Sequence, residues 1–240
     1  MSIALEICVD NPQGLSSAVE GGADRIELCA ALDFGGFTPA PGLVAQAVHA
    51  AIPVYAMIRP RAGNFCYSNL DEQAMMADID AVRAAGLAGI VVGAAKESGA
   101  LDTAMLYRLL CHAQGLKATL HRVFDLTPDP MTALRQAIDL GFERILTSGQ
   151  ALSAMDGIAM LEKLVCAAGD QISIMPGSGV HAENAVAILQ KTGAQEIHAS
   201  CRVVEAETDE RCISYHFAPP SRRETSVAGV RVLKQLLDSL

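Results

Sequence analysis

The chain repeats one pattern eight times, and that repetition leaves few folds open. A short apolar run comes first, then polar residues, then an Ala/Leu-rich segment with helical spacing, and often a glycine. The runs are LEICV (5–9), RIELC (25–29), VYAMI (54–58), GIVVG (89–93), KATLHRVF (117–124), RILTS (144–148), ISIMP (172–176) and EIHAS (196–200). The helices expected with them span 13–20, 39–51, 71–85, 102–113, 130–139, 153–168, 181–191 and 228–239. Gly22, Gly86, Gly115, Gly141 and Gly193 each fall between a helix and the next strand, where a helix C-terminus favours positive φ. Asp71 and Asp102 are placed to cap the helices they open, and Asp129 stands just ahead of Pro130. Eight strands alternating with eight helices predict a parallel α/β sheet. At 240 residues, that count predicts a closed (β/α)8 barrel of the TIM type. An open doubly wound sheet is the alternative. Its first turn normally carries G-x-G-x-x-G, and here it reads VDNPQG (9–14). No linker interrupts the alternation. Residues 1–240 are therefore expected to form a single barrel domain, with 202–226 as an irregular loop on its active face.

Composition narrows the function. The net charge is −9 and the isoelectric point about 5.1, which argues against nucleic acid or an anionic membrane surface as partner. The N-terminal MSIALEICVDNPQ meets acid and amide residues too early for a secretion signal, and no run of about 18 apolar residues predicts a membrane span. The expected location is the cytoplasm. Seven cysteines without a C-x-x-C spacing fit reduced thiols better than a zinc ribbon or redox pair. No organic cofactor motif is evident.

Side chains alternate along a strand, so each run divides into a face toward the helices and a face toward the barrel axis. Leu5, Ile7 and Val9 suit the helices, which turns Glu6 and Cys8 inward. By the same phase Glu27 and Cys29, then Tyr55, Met57 and Arg59, with Arg61 beyond Pro60, are expected inside or at the mouth. The fifth run offers Thr119 and His121, with Arg122 out of phase and expected to reach the rim or an acid behind the strand. Asp125 lies beyond it, placed to orient Arg59 or Arg61 or to cap the next turn. The sixth run offers Ser148, the seventh Met175, and the eighth Glu196 and His198. The C-terminal mouth of such a barrel is where reacting groups gather, and opposite charges there make one another tolerable. His121 is expected within reach of Glu6, Glu27 or Arg59. The segment MPGSGVHAEN (175–184) runs through Gly177, Ser178 and Gly179 into a helix, a turn whose N–H groups suit a phosphate or carboxylate.

Taken together, LEICV, GGADRIELCAAL, GGFTPAPG, IRPRAGNFCYS, HRVFD, RILTSGQ, IMPGSGV and EIHAS resemble, in this order, the CutC copper-homeostasis family, over residues 3 to about 200. The resemblance implies a (β/α)8 barrel, a cytosolic role in copper handling and cuprous ion as ligand. It implies Cys8 and Cys29 as the soft metal ligands, and places Glu6, Glu27, Arg59, Arg61, His121 and Asp125 at the barrel mouth. After residue 200 the chain departs from the family pattern: Tyr215, His216 and Phe217, then APPSRRETS, stand where a Tyr-Arg-Asn segment and a Ser-Met turn are usual.

The residues leave two functions open. Cys8, Cys29, Met57 and Met175 form a sulfur set suited to Cu(I). The acid, arginine and histidine set instead suits a small anionic metabolite, phosphorylated or carboxylated, with Glu6, Glu27, Arg59, Arg61, His121 and Asp125 as catalytic groups and Ser148, Gly177, Ser178, Gly179 and His198 holding the anion. A mean hydropathy of +0.28 is high for a chain of this size, and it predicts apolar surface covered in a homodimer.

Overall fold

The computed structural model describes residues 3–240. Eight parallel strands form one sheet: β1 (Ala4–Val9), β2 (Arg25–Leu28), β3 (Val54–Met57), β4 (Gly89–Val92), β5 (Lys117–Leu120), β6 (Arg144–Thr147), β7 (Ser173–Pro176) and β8 (Glu196–Ala199). Their order is β7-β6-β5-β4-β3-β2-β1-β8, and β7 lies alongside β8, so the sheet curls into a nearly closed barrel. Parallel neighbours need crossover connections, and helices supply them: α1 (Pro12–Gly21), α2 (Pro41–Ala47), α3 (Asn69–Ala85), α4 (Thr103–His112), α5 (Pro130–Leu140), α6 (Ile158–Ala168) and α7 (Ala182–Thr192). The expected barrel is the observed one.

The main core lies between strands and helices. Leu5, Ile7, Val9, Ile26 and Leu28 are fully buried there, each worth roughly 1.5–3 kcal/mol on removal from water. Helix starts follow local chemistry. Asp102 and Asp129 accept backbone N–H groups as expected. Asp71 does not open α3; Ser68 caps it, and Asp71 sits three residues on as the reciprocal half of a capping box.

Two expectations fail at the level of elements. The fifth strand was expected to reach Phe124, but β5 ends at Leu120 and residues Arg122–Leu126 form a 3-10 turn. The cause is local: the Nδ1 of His121 accepts the Val123 N–H at 3.1 Å, which offers the backbone an alternative to the ladder. Residues 202–226 are not an irregular loop. They form an antiparallel pair, β9 (Arg202–Ala206) and β10 (Ser221–Thr225), around a short helix, α8 (Glu210–Ser214). The last helix, α9 (Val227–Asp238), packs against α1 and α7 and completes the outer ring. Gly21 permits this close approach, because a Cβ there would lie 2.5 Å from the Cβ of Val230.

Candidate functional site

The barrel interior is polar over much of its depth. Register explains why: Glu6 stands beside Arg25 on β2 and beside His198 on β8, and Cys8 stands beside Glu27. At the N-terminal half, Arg25 bridges Glu6 and Glu196. Arg144 reaches Glu196 at 3.1 Å, Glu143 at 3.3 Å and the Thr119 hydroxyl at 3.1 Å. The Tyr55 ring lies between the two guanidinium groups, 5.6 Å and 5.0 Å from their centres. Burial alone would raise the pKa of Glu6, but Arg25 and then His198 overcome it and hold the carboxyl down at about 2. This half is a closed ion-pair plug.

At the C-terminal half the pattern changes. Cys8, Glu27 and His198 are buried, with ligand-capable atoms within 4.8 Å of one another. The Nδ1 of His198 lies 2.8 Å from Glu6 Oε1, and its Nε2 faces Glu27 Oε2 at 3.9 Å. Burial opposes the imidazolium, yet Cys8, Glu27 and Glu6 together raise the His198 pKa well above its ordinary value. Burial pushes the Glu27 carboxyl up to about 7; His198 works against that rise and Glu6 adds to it. Among the described residues, Glu27 Oε1 is buried without a partner. A cavity of about 340 Å3 opens above this trio, walled by Met57, Arg59, Phe65, His121, Arg122 and Leu146, among others. That size lies at the lower end of the range for small-ligand sites.

Several expected site residues take other places. Arg59 does not pair with Glu6 or Glu27. Its Nη1 donates to the carbonyls of Phe34 and Gly36 at 2.8 and 2.9 Å, and its guanidinium stacks 5.0 Å from both Phe37 and Phe65. Arg61 leaves the mouth altogether: it pairs with Asp71 at 3.2 Å and donates to the carbonyl of Cys66 at 2.6 Å, latching the loop between β3 and α3. Asp125 orients neither of them. It pairs with Arg122 at 2.8 Å and accepts from the Thr147 hydroxyl and the Ser148 and Gln150 N–H groups. Arg122 thus finds an acid at the rim and also lines the cavity. His121 lines the cavity but hydrogen-bonds none of Glu6, Glu27 and Arg59; the Phe65 ring lies 4.9 Å from it.

Cys29 is buried outside the trio, its thiol donating to Glu27 Oε2 at 3.6 Å. Burial first, and the Glu27 charge second, raise its pKa well above the ordinary value. Met175 lies low in the barrel, 3.2 Å from Arg25 Nη2, and is no part of the mouth. Ser148 donates to the Ala151 carbonyl and meets both Arg122 and Asp125. Gly177 lies against His198, where a Cβ would come within 3.2 Å of the His198 Cβ, and Leu146 is closer still at 2.4 Å. Ser178 and Gly179 line a second cavity of about 290 Å3 that shares Cys8, Arg122 and His198 with the first. The sequence reasoning missed Arg25 and Arg144. The signal was present for Arg25, which shares the inner phase of Glu27 and Cys29.

The donor set of the trio fits a soft metal ion. A thiolate and an imidazole suit Cu(I), and Glu27 offers a carboxylate oxygen that is unpaired among the described residues. Among known proteins, the CutC family model matches residues 3–203. The family protein CutC of Sinorhizobium medicae (strain WSM419) is 52% identical over 238 residues, spanning 99% of this chain and 97% of the relative. That of Caulobacter vibrioides (strain NA1000 / CB15N) is 50% identical over 240 residues, spanning 99% and 98%. The crystal structure of a candidate copper homeostasis protein CutC from Streptococcus agalactiae superimposes with a TM-score of 0.79 at 35% identity, over 82% of this chain and 98% of that one. Among the described residues, no helix is long and apolar enough to cross a membrane.

Proposed function

The chain belongs to the CutC family, and from that premise we propose that it is a cytosolic copper homeostasis protein that takes up cuprous ion at its barrel mouth. Cys8 and His198 are the primary ligands. Glu27 stands third, and Cys29, hydrogen-bonded to Glu27, supplies a second sulfur nearby. The observation that carries this reading is the setting of His198. Its Nδ1 is engaged by a fully buried carboxylate, Glu6, while its Nε2 faces Glu27. A carboxylate behind a histidine fixes the ring and raises the basicity of the free nitrogen, as in metal sites generally. The Streptococcus agalactiae relative, a candidate copper homeostasis protein, supports copper as the cargo. Neighbouring Met57 adds a thioether to the cavity wall.

Anaerobic titration of Cu(I) against a competing chelator tests this. Cys8→Ser and His198→Ala are each expected to weaken binding at least tenfold, and Cys29→Ser by less. Cu(I) affinity unchanged in the Cys8→Ser/His198→Ala double variant removes the site. We also propose a homodimer, supported by exposed apolar side chains such as Leu70, Leu152 and Phe217. Light scattering at micromolar concentration should give twice the 25.2 kDa chain mass.

A further inference from the structure

The upper cavity carries two groups that copper does not use. The first is His121, which is buried. Its Nδ1 accepts the Val123 N–H at 3.1 Å. A backbone N–H can only donate, so Nδ1 presents its lone pair and the proton of the neutral ring sits on Nε2. Burial, and then the Arg59 guanidinium, push the ring down to about 3, so it is neutral at physiological pH. The Nε2–H is thus a fixed donor, and it has no acceptor among the described residues. Carrying the proton, Nε2 has no lone pair for a metal.

The second group is Arg122. Its Nε donates to Asp125 and its Nη2 to Ser148 Oγ, both at 2.8 Å. Those two bonds occupy one edge of the guanidinium. Asp125 is itself held by the Thr147 hydroxyl at 2.5 Å, the Ser148 N–H at 3.1 Å and the Gln150 N–H at 3.1 Å. An arginine at a rim is ordinarily loose. This one is fixed, with its other edge, the fork formed by Nη1 and Nη2, left without an acceptor among the described residues. Arg122 lines both cavities at the mouth. A planar fork of N–H groups matches a carboxylate in two parallel hydrogen bonds. In the Gly-Ser-Gly turn nearby, the Ser178 hydroxyl is committed to the Leu152 carbonyl at 2.8 Å, and the His181 N–H to Asn184 Oδ1 at 2.9 Å. The wall also has an apolar part, Met57, Phe65, Leu126 and Leu146, opposite the polar floor of Cys8, Glu27 and His198.

We propose that the barrel mouth binds a small carboxylate with an oxygen on the adjacent carbon, a 2-oxo or 2-hydroxy acid with an apolar tail. The carboxylate sits on the free edge of Arg122, and the second oxygen accepts the His121 Nε2–H. Neither residue is a proposed metal ligand, although the cavity also reaches Cys8, Glu27 and His198.

The test is calorimetric titration of the metal-free protein with 4-methyl-2-oxopentanoate, with 4-methylpentanoate, which lacks only the oxo oxygen, and with inorganic phosphate. Saturable binding of the oxo acid is expected, at least tenfold tighter than either comparator. His121→Asn keeps a side-chain oxygen to accept the Val123 N–H but loses the Nε2–H donor. It should weaken the oxo acid about tenfold and leave the plain acid unchanged. Arg122→Gln should weaken both acids at least tenfold. Arg122→Lys should do the same while keeping a cation beside Asp125, so a folding failure of Arg122→Gln leaves the question answerable. Cu(I) affinity should not move in either arginine variant. No saturable binding of the oxo acid at millimolar concentration overturns the proposal, as does equal binding by wild type and Arg122→Lys. Phosphate binding tighter than the oxo acid overturns the carboxylate class. Equal losses for both acids in His121→Asn overturn the role of the second oxygen.

Discussion

The lower and upper halves of the barrel interior are built from the same kinds of residue and end in opposite conditions. In the lower half, Glu6, Arg25, Glu196 and Arg144 are cross-linked, and every charge meets an opposite one. In the upper half, Glu27 Oε1, His121 Nε2 and Arg59 Nε are buried without partners, and all three residues line one cavity. Buried polar groups are normally satisfied. Satisfied groups here plug the lower half of the barrel, and the unsatisfied ones of the upper half face a cavity. The same acid shows both conditions one strand apart: Glu6 is drawn down to about 2 by its partners, while Glu27 is pushed up to about 7 by burial.

The largest expected effect strikes the plug. Arg25→Met leaves Glu6 and Glu196 short of their shared cation, and should cost about 3–5 kcal/mol in denaturant unfolding at pH 7. A loss below about 1 kcal/mol would erase the distinction between the halves. The same plug governs acid sensitivity. Glu6 drops from an ordinary 4.5 to about 2 in the fold. A depressed acid stabilises the fold above its unfolded pKa, so that stabilisation should fade as pH falls from about 4.5 toward 2.

Glu27 has the opposite sign. Its pKa rises from 4.5 to about 7, so the fold is favoured while it is protonated and loses that stability as pH climbs through 7. In metal-free protein, Glu27→Gln should therefore gain on the order of 2–3 kcal/mol at pH 8 and nothing at pH 4. Unfolding curves at the two pH values measure this, and a destabilised variant at pH 8 would place Glu27 among the plug residues instead.

Steric support of the mouth comes next. A Cβ on Gly93 would meet His121 Cε1 at 2.5 Å and Val123 Cγ1 at 2.6 Å. Gly93→Ala should cost about 1–3 kcal/mol by overpacking and shift the His121 ring resonances in NMR spectra. Unshifted resonances would mean that the ring is not held where the strand places it. The smallest effect is expected outside the barrel. Arg222 on β10 pairs with Glu205 at 3.4 Å on an exposed face, and Arg222→Ala should change stability by less than about 0.5 kcal/mol. A larger loss would make the β9–β10 pair part of the barrel's stability rather than an attachment to it.

The alternation of apolar runs and amphipathic segments by itself determined the eight-stranded barrel, the outward core face of Leu5, Ile7 and Val9, and the inward phase of Glu6, Cys8, Glu27 and His198. Those properties repeat with a period of two or of 3.6 residues, and a period survives in a linear string. The motifs likewise carried the family. Tertiary structure alone decided which inward charges pair. Arg25 rather than Arg59 neutralises Glu6, because parallel register sets Glu6 beside Arg25, whereas Arg59 lies beyond the end of β3 and is drawn to loop carbonyls. It also decided the fate of HRVFD. Strand phase sent Arg122 outward, but one hydrogen bond from the Val123 N–H to His121 turns the backbone into a 3-10 helix. After that turn the alternation no longer holds, and Arg122 swings to the cavity where Asp125 and Ser148 fix it. Partner choice depends on distances between strands far apart in the chain, and no periodicity encodes those distances.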